Sequence, residues 1–102
     1  MKLSEMTTYE CAKALTHDEY ANWTRSGAFA LVEYLEQMED DCGTQIEFDR
    51  VALRCEYSEY DTAIEAAQAY TSEFTTEESA LEYLENNTTV INHANGIIVQ
   101  DF

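Results

Sequence analysis

The chain has no proline, three glycines and five Lys or Arg among 102 residues. Without a proline or a Gly/Ser-rich stretch there is nothing to mark a linker, so a single domain spanning 1–102 is expected. Three cysteines make an odd, widely spaced set (Cys11, Cys42, Cys55) with no C-x-x-C. That argues against a disulfide framework or a zinc site and for buried or half-buried thiols in a reducing compartment. No apolar run reaches the ~18 residues of a membrane span. The start, Met-Lys-Leu-Ser-Glu, has no signal-peptide core, so a cytoplasmic location is expected. No phosphate loop, Gly-rich dinucleotide turn, nucleophile elbow or H-E-x-x-H occurs. The expectation is a non-enzyme with no cofactor, no metal and no catalytic residue.

What the chain has in excess is acid. It carries 21 Asp and Glu, for a formal net charge of −16. Such a charge counts against contact with nucleic acid or anionic lipid and favours a basic partner. Hydrophobic content of 45% with twelve aromatics separates it from acidic disordered tails. From Cys55 to Phe102 there are ten acids and no Lys or Arg.

Residues 46–60, IEFDRVALRCEYSEY, are the expected centre of the fold. Val51, Leu53, Cys55 and Tyr57 alternate with Ala52, Arg54 and Glu56, which is the period of a half-buried strand. Thr-x-x-Glu capping boxes at Thr7/Glu10, Thr16/Glu19 and Thr75/Glu78 mark helix starts. They predict short helices over about 8–15 and 17–24, with Tyr9, Ala12, Leu15, Tyr20 and Trp23 on the apolar side. Ser26 is the expected cap of a longer helix over 27–41. Its inner face is Ala28, Leu31, Val32, Leu35 and Met38, and Gly43 stops it. Helices are expected at 61–70, with Ala63, Ile64, Ala67 and Tyr70 inward, and at 75–86, with Ala80, Leu81 and Leu84 inward. Strands at 89–92 and 97–102 flank an Asn95-Gly96 turn. The order α-α-α-β-α-α-β-β makes an α+β domain: a small, mostly antiparallel three-stranded sheet covered by helices on one face.

The acids fall in rows. Glu33, Glu36 and Asp40 lie along one helical stripe, with Asp41 beside it. Glu56, Glu59, Asp61 and Glu65 run from the central strand into the next helix, and Glu78, Glu82 and Glu85 form a third row. Stripe neighbours stand about 5–6 Å apart at Cβ, a scale similar to that of phosphates along nucleic acid. A mixed polar face would interleave Lys with Glu. Tyr34, Tyr57 and Tyr60 are candidate aromatic anchors at a contact.

The run EFDRVALRCEYSEYDTAIEAA, then LENNTTVI and the terminal GIIVQDF, resembles a group of small acidic proteins encoded by phages and prophages. The likeness covers about residues 46–102. It implies a protein of the anti-CRISPR and antirestriction type, several of which imitate nucleic acid. On that reading the chain binds a basic nucleic-acid-binding protein or CRISPR effector complex stoichiometrically. An acidic adaptor of another phage or host protein is the alternative, and a homodimer is left open.

Overall fold

The structure is a computed structural model that describes residues 2–71, 75–94 and 96–101, without the side chain of Ser4. After a 3₁₀ turn at Leu3–Glu5 come α1 (Thr8–Thr16), α2 (Arg25–Cys42), α3 (Arg50–Glu56), β1 (Tyr57–Tyr60), α4 (Ala63–Gln68), α5 (Glu77–Asn87), β2 (Val90–His93) and β3 (Gly96–Gln100). The order and the α+β class are those expected from the sequence. The sheet is antiparallel throughout, with strands in the order β1-β3-β2.

The last strand in the chain is therefore the central one. Gly96-Ile-Ile-Val-Gln100 is apolar on both sides because both sides are covered. Ile98 pairs with Ile91 and joins a core with Leu15, Trp23, Leu31, Val32 and Tyr57. Ile97 and Val99 face the other way, into a core of Ala63, Ala66, Ala67, Ala80 and Leu84. Helix α2 lies against β2 and β3, and α4 lies against β1 and β3. Helices thus cover both faces of the sheet, where the sequence had suggested one. Two separate apolar clusters require two layers.

Local capping explains most helix starts. Thr7 and Glu10 form a reciprocal box at α1, with Thr7 N donating to Glu10 Oε1 at 3.0 Å and Glu10 N to Thr7 Oγ1 at 3.1 Å. Thr24, not Ser26, caps α2 and accepts from Gly27 N at 3.0 Å. Gly43 ends α2 at φ 64°, with its N–H on Glu39 O. Thr76, one residue beyond Thr75, caps α5. The inner face expected of α2 holds: Ala28, Leu31, Val32 and Leu35 are buried and Met38 partly so.

Two expected elements differ. Residues 17–24 form no helix. Asp18 turns its carboxylate inward to Arg54 at 2.8 Å and accepts Tyr20 N at 3.0 Å. That local bond competes with helical pairing. Tyr20 and Tyr9, expected inward, are 76% and 57% exposed. Residues 51–56 are helical rather than extended. Asp49 caps them, accepting from Val51 N at 3.0 Å and Ala52 N at 3.2 Å. Leu53 and Tyr57, four apart, are the buried pair, whereas Val51 and Cys55 are exposed. Apolar residues at 51, 53, 55 and 57 satisfied a two-residue period, but only the i, i+4 members point inward. The strand begins at Tyr57. Cys42 is exposed as well, so Cys11 alone is a buried thiol, and burial pushes it up to about 11.

The closing hairpin forms, but its register differs from the expected one: His93 lies opposite Gly96, which the sequence places in the turn. Gly96 is therefore a strand residue at φ 156°. A Cβ there would run into the Tyr60 carbonyl and lie 3.2 Å from Asp61 Cα. Asn95, Ser72–Phe74 and Phe102 lie outside the described residues.

Candidate functional site

The acidic residues singled out in the sequence separate into two groups. The first group is internal. Glu36 is half-buried and accepts Thr8 Oγ1 at 2.9 Å on both carboxylate oxygens, tying α1 to α2. Glu59 lies on the α2 side of the sheet, its side chain 10% exposed. It accepts Thr24 N at 2.8 Å and Thr24 Oγ1 at 2.5 Å, and stands 2.9 Å from His93 Nε2. Tyr57 is 4% exposed, and burial pushes its hydroxyl up to about 12. Tyr60 is half-buried against the alanine-rich core. Glu36, Tyr57 and Glu59 are thus structural, which corrects their reading as contact residues. Odd and even positions of a short strand face opposite layers, and here both layers are filled.

The Glu59 network has a clear physical origin. Glu59, Ile98 and Ile91 share one face of the sheet by register, and so do Gly96 and His93. Gly96, without a side chain, leaves His93 a path across β3 to Glu59. Ser26 Oγ lies 2.9 Å from His93 Nδ1. A Cβ on Gly27 would sit 2.6 Å from Glu59 Cδ, so a glycine at the third position of α2 makes room for the carboxylate. Serine, histidine and glutamate in a row have the composition of a nucleophile relay. The neighbouring cavities are lined by Glu59 on one side and Arg25 on the other, but not by Ser26 or His93. The row pins the start of α2 to the sheet. It escaped the sequence reading because Ser26, Glu59 and His93 are far apart in the chain.

The second group is external. Glu33, Asp40 and Asp41 on α2 are exposed, as are Glu56, Asp61 and Glu65 around β1 and α4. Glu78, Glu82 and Glu85 on α5 are exposed too. The last turn of α2 holds no base, so its acids oppose the helix dipole. Glu39 offsets part of this by accepting Ile46 N at 2.7 Å. Because α2 and α4–α5 cover opposite faces of the sheet, the rows form two outer surfaces rather than one continuous track. The five Lys and Arg all lie between residues 2 and 54. Arg54 pairs with Asp18 and stacks 5.2 Å from the Tyr20 ring, and Arg25 lies 6.0 Å from that of Phe29.

Among the described residues no helix is long and apolar enough to cross a membrane, and no cluster of three or more His, Cys, Asp or Glu could hold a metal. Comparison with protein-family models, curated proteins and solved structures found no match.

Proposed function

We propose that this chain is a non-catalytic binding protein whose acidic outer faces occupy a Lys/Arg-lined nucleic-acid channel on a host defence nuclease, of the CRISPR effector kind. One observation carries the reading. Two helices on opposite sides of the sheet present exposed acids, Glu33, Asp40 and Asp41 on α2 and Glu78, Glu82 and Glu85 on α5. No Lys or Arg follows Arg25 in α2, and none occurs in α5. The choice of a defence nuclease as target rests on the resemblance of residues 46–102 to small phage proteins. The external acids make the contact, and Glu36 and Glu59 do not, because their carboxylates are already bound within the fold.

The test is titration against a CRISPR effector complex at two salt concentrations, with guide or target nucleic acid as competitor. Exposed pairs contribute only about 0–1 kcal/mol each. Single Ala changes should therefore matter little, while Glu33/Asp40/Asp41→Lys or Glu78/Glu82/Glu85→Lys should weaken binding severely. Affinity should fall steeply with salt. If both triple-Lys variants bind like the parent, charge mimicry is wrong. Dominance by a few apolar positions with little salt dependence would mark an ordinary adaptor.

A further inference from the structure

Five Lys and Arg serve the whole chain, yet two of them border one groove. Lys13 on α1 and Arg25 at the start of α2 line a cavity of about 350 Å³ together with His17. The same cavity is walled by Tyr9, Trp23 and Phe29. The Tyr9 and Phe29 rings are 6.4 Å apart and inclined at 51°. Trp23 is 8% exposed, and its buried indole Nε1 has no hydrogen-bond partner among the described residues. A buried, unsatisfied N–H costs free energy and is uncommon in a folded protein. The volume lies within the range of small-molecule sites, and so does the composition, aromatic walls with a few polar groups.

We infer that this groove binds a small molecule in which a planar aromatic ring carries an anionic group. The ring would lie among Tyr9, Trp23 and Phe29, whose faces favour stacked or edge-on partners. The anion would meet Lys13 and Arg25, with His17 as a further polar contact. The lining makes the choice of sign specific: a neighbouring groove bordered by Arg50 and Arg54 also carries Asp18 and Glu19, with Arg54 paired to Asp18, whereas the residues that line this groove include no acid. The site is independent of the acidic faces, and its sign is the reverse of theirs.

Trp23, the single tryptophan, makes the test direct. Its fluorescence and its indole N–H resonance are followed during titration with adenosine 5′-monophosphate and, separately, phenylacetate, at an ionic strength of about 0.15 M to limit long-range repulsion. Saturable one-to-one binding of either anion is expected, with adenosine and phenylacetamide at least tenfold weaker. Saturation by the nucleotide alone identifies a nucleotide-type ligand, and by phenylacetate alone an aromatic carboxylate. Lys13→Ala/Arg25→Ala should weaken binding at least tenfold, with circular dichroism and melting temperature unchanged. Lys2→Ala/Arg50→Ala, which removes equal charge elsewhere, should bind like the parent. No saturable change with any probe overturns the inference, as does equal weakening by both double variants.

Discussion

The two layers on either side of the sheet are built from different materials. On the α1–α2 side the core uses long side chains, with Leu3, Leu15, Leu31, Leu35, Leu53, Trp23, Tyr57 and Ile98 interlocked. On the α4–α5 side it is mainly alanine, with Leu84, Ile97 and Val99 as its large buried members. Helix α2 meets β2 and β3 through this core, and Gly27 in its first turn leaves room for the Glu59–His93 row at the edge. Alanines on both helices let α4 and α5 pack closely against each other. Two packing solutions can share one strand because β3 presents Ile98 to one and Ile97 and Val99 to the other.

Truncating a large residue should have the greatest effect. Leu31→Ala, at a fully buried position, is expected to cost about 2–5 kcal/mol in denaturant unfolding. Leu84→Ala should cost a comparable amount, because Leu84 is fully buried in the second core. A cost below 1 kcal/mol at Leu84 would mean that the second layer closes readily around a gap. Enlargement tests the opposite property. Ala66→Leu, at a position with no exposure, should destabilise by about 1–3 kcal/mol through overpacking. A neutral result would contradict close approach of α4 to the sheet.

The buried polar row sharpens the comparison, since the alanine side has none like it among the described residues. Glu59→Ala takes the acceptor from Thr24 N and removes the carboxylate that stands 2.9 Å from His93 Nε2. The expected cost is about 1–3 kcal/mol, with faster amide exchange at the start of α2 than in α4. Equal exchange in both helices would show that the row does not anchor α2.

A pH effect should follow from the same half of the molecule. The Arg54 guanidinium, helped by Tyr20 N–H, holds the Asp18 carboxyl below its ordinary value. The unfolded chain, with Asp near about 3.9, therefore takes up this proton first as pH falls. The contribution is complete above about pH 4 and is lost below it, as pH falls toward the folded value. Asp18→Asn should flatten the acid limb of the melting-temperature profile, and an unchanged limb would place the pair outside the folding equilibrium. The smallest effect is that of salt. Raising NaCl from about 10 to 300 mM shortens the screening length well below 10 Å. Melting temperature should rise modestly as a net charge of −16 is screened. A fall would mean that the acids are held by local pairs.

Sequence alone determined the parts of this protein in which local chemistry is unopposed. The Thr7–Glu10 box, the apolar stripe from Ala28 to Leu35 and the stop at Gly43 are short-range signals, and each appears where expected. So does the exposure of most acids, because an unpaired carboxylate has no stable place inside. Tertiary structure decided what short range leaves degenerate. Val51 to Tyr57 satisfies either period, and an Asp49 cap together with burial of Leu53 and Tyr57 made it a helix. Thr16 and Glu19 have the letters of a capping box, but Asp18 gains more from Arg54, 36 residues away, than from a helical turn. Whether Glu59 is a surface charge or an internal anchor depends on His93 arriving across Gly96 and on Gly27 having no side chain. No local pattern carries that information, because the two-layer arrangement exists only once β3 has inserted between β1 and β2.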